Sequence, residues 1–153
     1  MRPTTSPFDP RSLLFARYAQ HVVLIHFPIA LCLVSIVFDF LGQWTKKRVL
    51  AEVAYYNLLV AAISTVPVVV TGLLAWHFQL EGQRLKGTLF LHLVLGLAAT
   101  GMIWLVRSLH FRAHRHPEGK LPLYRFPIEL TAAAVVSLTA HLGGFLSGVN
   151  GPG

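Results

Sequence analysis

The sequence predicts an all-α protein, a four-transmembrane-helix antiparallel bundle with a candidate short N-terminal interfacial helix, and three observations carry that prediction. Hydrophobic residues make up 54% of the chain against 12% charged, with a mean hydropathy of +0.60, outside the range of soluble domains. Four apolar runs each reach the roughly 20 residues that a spanning helix requires. The stretches between them are short and hold most of the charge, so consecutive helices pack side by side in opposite directions.

Residues 1–20 form an extramembrane lead-in and residues 21–153 the four-helix domain. Met1 to Gln20 holds three prolines and three arginines and lacks the apolar core and small-residue cleavage site of a secretory signal, so the first helix is expected to stay as an anchor. Within it, Leu13, Leu14, Phe15, Ala16 and Tyr18 alternate with Arg11, Arg17 and Gln20, which fits either an interfacial helix or a disordered lead-in.

The first span is read as His21 to Gly42, the second as Val53 to Trp76, the third as Gly87 to Val106 and the fourth as Pro127 to Gly148. Pro28 and Pro67 each remove one backbone hydrogen bond and predict kinks in the first and second spans. Gly96, Ala99 and Gly101 in the third, with Ala140, Gly144 and Gly148 in the fourth, allow close helix approach or room for a flat cofactor. Cys32 is a lone cysteine within an apolar run, so it reads as a packing residue and not as half of a disulfide or thiolate metal site. No internal repeat of convincing length stands out.

The net charge of +7 sits at the ends of apolar runs and not in an aromatic-interleaved stripe, which argues for membrane topology and against nucleic acid. Eight basic residues follow the first span or separate the third from the fourth, against five on the other side, and this bias places both termini outside a bacterial inner membrane.

His26, His92 and His141 lie within separate apolar runs, and a histidine in a membrane span is a functional-site candidate. At about 1.5 Å of rise per residue, His26 and His92 lie about 8 Å below the outer surface and His141 about 10 Å below it. A neutral imidazole offers one nitrogen to a metal while the other donates to a carbonyl. His26 and His92 are therefore the favoured axial ligands of a haem b iron, with His141 a third ligand or supporting group. Interhelical hydrogen bonding is the competing reading, and three histidines at one level favour a cofactor over it. Zinc is less attractive, because no carboxylate shares that depth. His21, five residues from His26 and so about 140° round the helix, is placed at the interface. His77 is placed at the outer end of the second helix, and His110, His114 and His116 in a solvated basic loop running from Ser108 to Phe126. Asp39 is expected to pair with Lys46 or Arg107.

The run His26-Phe27-Pro28-Ile29-Ala30-Leu31, followed by Asp39, Thr71-Gly72, His92 and Leu142-Gly143-Gly144, resembles the DUF2231 family of small four-helix bacterial membrane proteins. The likeness covers most of the chain from His21 to Gly148. Members also occur joined to Rieske iron-sulfur and c-type cytochrome modules, which implies a respiratory electron-transfer setting. The chain departs from the pattern where members continue after the glycine pair with a tyrosine and a histidine-glycine element, and it lacks the proline that often follows the first histidine.

These readings converge on a b-type cytochrome-like electron-transfer subunit embedded in the lipid bilayer, with haem near the outer face, quinol or quinone as a further ligand and other membrane or electron-transfer subunits as partners. The alternative is a cofactor-free accessory subunit of a larger membrane complex. A transporter is disfavoured by the absence of inverted repeats and of an acidic pathway, and no residue set points to hydrolysis or group transfer.

Overall fold

The computed structural model describes residues 17–79, 82, 84–115 and 122–148. Its helices are α1 (Arg17–Leu24), α2 (His26–Thr45), α3 (Arg48–Gln79), α4 (Gly87–Arg115) and α5 (Arg125–Leu146). The predicted interfacial helix falls mostly on residues outside this set; its last residues belong to α1. Helices α1 and α2 form one span with a turn at Ile25, across which the N–H groups of Ile25 and Ile29 still donate to the carbonyl oxygens of His21 and Ile25. The turn lies just before Pro28, which cannot donate to the carbonyl behind it. Around Pro67, by contrast, α3 is continuous.

Four helices are long and apolar enough to cross a membrane, over Gln20–Thr45, Arg48–Phe78, Gly87–Arg115 and Arg125–Leu146. They pack as a ring in which α2 and α4 each contact both α3 and α5, and α1 packs on α3. Apolar side chains such as Val60, Ile63, Leu97 and Leu138 point outward, while Ser35, Asp39, Thr65, Arg107, His110, Arg125 and Glu129 are buried. This distribution suits a lipid solvent, in which backbone and polar groups must be satisfied inside the protein. The core between the helices is built of small residues, with Cys32, Ala61, Ala62 and Ala99 around Ile103 and Val136, then Leu58, Val106 and Ala132.

The first hairpin turns within Lys46-Lys47. Lys46 takes the left-handed conformation, with φ of 58°, that ends α2 and lets the chain reverse at once. Gly42 permits the resulting close approach, since a Cβ there would lie 3.2 Å from the backbone nitrogen of Ala51. Two of the expected loops are shorter than the hydropathy predicts. Helix α4 runs on to Arg115 because no glycine or proline interrupts it after Gly101, and its cationic last turn complements the helix dipole.

The two hairpins are copies of one plan. An offset of 71 residues carries Pro28, Cys32, Ser35 and Asp39 onto Ala99, Ile103, Val106 and His110, and Ala54, Leu58, Ala61 and Thr65 onto Arg125, Glu129, Ala132 and Val136. All sixteen of these residues are buried. Helices α2 and α4 run in the same direction, as do α3 and α5, so the repeat is parallel and relates the halves about an axis along the bundle.

Candidate functional site: a duplicated histidine unit

Residues at seven-residue steps return to one side of a packed helix. On the first span, His21, Pro28, Ser35 and Gly42 form such a line, and the last three are buried. On α4 the same line is His92, Ala99 and Val106, ending in two buried residues. Both histidines are thereby turned into the bundle, each against the helix of its own hairpin partner.

The two environments share a backbone carbonyl and a glycine at matching positions, and His21 has a threonine hydroxyl in addition. His21 Nδ1 lies 3.1 Å from the carbonyl oxygen of Val68 and 3.2 Å from Thr71 Oγ1. His92 Nδ1 lies 3.1 Å from the carbonyl oxygen of Thr139. Each carbonyl bond spans 47 residues of chain, and the 71-residue offset that carries His21 to His92 also carries Val68 to Thr139 and Gly72 to Gly143. A carbonyl oxygen only accepts, so Nδ1 carries the proton in both rings and Nε2 keeps its lone pair. Neither Nε2 has a hydrogen-bond partner among the described residues.

The glycines are part of the unit. A Cβ on Gly72 would lie 2.9 Å from His21 Cε1, and one on Gly143 would lie 3.1 Å from His92 Cε1. Each ring therefore rests on helix backbone that has been stripped of its side chain.

Of the residues singled out from sequence, His92 lies in this site and His26 and His141 lie outside it. His26 is exposed at the start of α2. His141 is exposed, with its ring 5.0 Å from that of Phe145. His77 is exposed, with its ring 4.8 Å from that of Phe78. His21, expected at the interface, is half-buried between α1 and α3 and takes the place on the first helix that depth alone gives to His26. Among the glycines expected to bring helices together, Gly101 and Gly148 have nothing within 4 Å of the point where a Cβ would stand, whereas Gly143, which is not one of them, is in tight contact.

The other end of the bundle holds a buried ionic cluster. Arg125 Nε donates to Asp39 Oδ2 at 2.8 Å, and His110 Nε2 lies 2.8 Å from Glu129 Oε1. Arg125 Nε is also 3.9 Å from Glu129 Oε1. Two expectations are corrected here. Asp39 pairs with Arg125, because Arg107 turns instead to the hydroxyl of Tyr55 at 3.2 Å and lies over the Tyr55 ring. His110 belongs to α4 and is buried, because the helix continues beyond the point at which its hydropathy falls.

Fold and lipid-facing surface define an integral membrane four-helix bundle that turns one histidine of each hairpin inward. A family model described as a predicted membrane protein (DUF2231) matches residues 18–151, and the chain belongs to that family. No curated protein and no solved structure matches it.

Proposed function

We propose that the chain is a membrane-embedded, b-type cytochrome-like electron-transfer subunit in which His21 and His92 are the axial ligands of one haem. The observation that supports this most is the duplicated unit of imidazole, carbonyl and glycine. A metal-ligating histidine normally donates its second nitrogen to a carbonyl or carboxylate, which fixes the tautomer and aims the lone pair. Both rings have that arrangement, and they come from opposite halves of a two-fold plan. Haem iron accepts one imidazole on each face of a planar macrocycle, so a pseudo-symmetric pair suits it better than a four-ligand zinc site. The haem would supply one-electron chemistry, while the protein supplies orientation and a low-dielectric surround. A lipid-soluble quinol is the proposed electron donor, since the bundle is apolar on its outer surface.

A second reading has its own support. Both imidazoles already bond across helices and rest on glycine, as they would in a cofactor-free accessory subunit that uses histidine only to fix packing.

The visible spectrum of protein purified in detergent from haem-replete cells separates the two. A reducible haem band set that disappears in both His21→Ala and His92→Ala supports the cytochrome. A folded, colourless wild-type protein, with no haem found on extraction of its native complex, leaves the accessory role.

A further inference from the structure

The ionic cluster lies 18 residues beyond the histidine pair on both the first span and α4, from His21 to Asp39 and from His92 to His110, or about 27 Å along the bundle. It joins three helices, with Asp39 on α2, His110 on α4, and Arg125 and Glu129 on α5. Asp39, Arg125 and Glu129 side chains are each 1% exposed and that of His110 3%. A charge in such surroundings needs a partner of opposite sign, because desolvation costs several kcal/mol per ion on the order-of-magnitude scale.

The charges do not balance with neutral histidine. Among the described residues that join in the cluster, two carboxylates face one guanidinium, leaving one negative charge in excess, while the buried Arg107 is turned to Tyr55 and makes no ion pair among those residues. Asp39 Oδ1 and Glu129 Oε2 are buried and have no hydrogen-bond partner among the described residues, and the same holds for the donor Arg107 Nη1. One added proton makes the group neutral. A divalent cation overshoots to net positive and must share Asp39 and Glu129 with Arg125, although Asp39, His110 and Glu129 do place one ligand atom each within 4.8 Å of one another.

We propose that Asp39, Arg125, Glu129 and His110 form a proton-binding site, which holds one exchangeable proton on the His110 imidazole against the Glu129 carboxylate. The proton comes from hydronium or water, forms an N–H bond with the Nδ1 lone pair of His110, and leaves water or hydroxide behind. The imidazolium then donates its Nε2–H to Glu129 Oε1. Arg125 holds Asp39 and lies near Glu129, which keeps the second carboxylate from competing for the proton. The surrounding groups on each helix are Cys32 on α2, Tyr55 on α3, and Arg107 on α4, whose Nη2 donates to the Tyr55 hydroxyl and whose guanidinium lies over the Tyr55 and Phe111 rings. His114 is exposed one turn beyond His110 and stacks on Tyr55 with ring centres 4.2 Å apart. The proposal stands whether or not the other end of the bundle binds haem.

The test is a pH titration of the whole chain in lipid nanodiscs, followed by nitrogen NMR of labelled histidine, with the His110 signal assigned by its loss in His110→Gln. The site predicts that His110 gains a second ring proton, passing from neutral imidazole to imidazolium, as the pH is lowered. It also predicts that Glu129→Gln, which keeps an oxygen acceptor for Nε2–H but removes the charge, lowers proton affinity at His110 at least tenfold. A wild-type His110 that stays neutral throughout overturns the proposal, and so does an unchanged affinity in Glu129→Gln. A stoichiometric shift of the His110 signal by zinc alone, with no titration in its absence, identifies a metal site instead and also overturns it.

Discussion

His92 sits on Gly143 as His21 sits on Gly72, each ring's Cε1 close to 3 Å from where a side chain would begin (3.1 and 2.9 Å). Every other contact of the pair follows from this seating, since it brings Nδ1 against the carbonyl one helical turn earlier on the same neighbouring helix. Gly72→Ala and Gly143→Ala are therefore expected to displace the imidazole while the helices stay formed. Alanine is the better helix former by roughly 1 kcal/mol, which offsets the local strain. Titration of haem into each variant should show affinity at least tenfold below wild type, with thermal unfolding in detergent little changed.

The two histidines should be equivalent to each other and unlike their exposed neighbours. Single alanine substitutions at His21 and His92 are expected to reduce bound haem by about the same factor, as read from the Soret absorbance per chain. His26→Ala and His141→Ala should leave it at the wild-type level, because both rings lie on the outside of the bundle. Loss of the band in His26→Ala alone would return the site to the residue that depth favours.

Breaking the Asp39–Arg125 pair leaves a charge without its partner among buried residues. Arg125→Met is expected to destabilise the protein by about 3–5 kcal/mol. The double variant Asp39→Leu with Arg125→Met should recover much of that loss, because the desolvated charge is removed with its partner. Unfolding of wild type, both single variants and the double variant in mixed detergent micelles, analysed as a double-mutant cycle, measures the difference.

At the first hairpin, Gly42→Ala places a methyl group 3.2 Å from a backbone nitrogen of α3. Backbone cannot rotate aside as a side chain can, so the helices must separate at this end. A cost of about 1–3 kcal/mol is expected from such overpacking, read from the same unfolding assay. Gly101→Ala, with nothing within 4 Å, is the matched control and should not destabilise.

The spans were legible because lipid selects for apolar length, and hydropathy reports that directly. Their ends were not, since a helix persists by backbone bonding after its side chains turn polar, as α4 does from Arg107 to Arg115. The site was half legible. Counting residues gives depth, and on depth His26 matches His92; which way a ring faces depends on the angle round the helix. The signal for that was present in the line His21, Pro28, Ser35, Gly42, but its small and polar members do not read as an inward stripe until lipid, not water, is the solvent outside. The repeat was hidden for a related reason. What recurs is position and burial, while the residues themselves differ, as in Asp39 against His110 or Leu58 against Glu129.

Each hairpin carries one imidazole, one accepting carbonyl and one bare glycine, which is half of the site proposed above. Two identical hairpins related by a strict axis would build the histidine end in full, so that end asks for nothing that a homodimer could not supply. The ionic end is different in kind. Its carboxylate at Asp39 faces an imidazole at the matching place in the other half, and its Arg125 and Glu129 answer to Ala54 and Leu58. Identical subunits would present every one of these groups twice. Joining the halves in a single chain is what allows one end of this molecule to remain symmetric while the other becomes polarised.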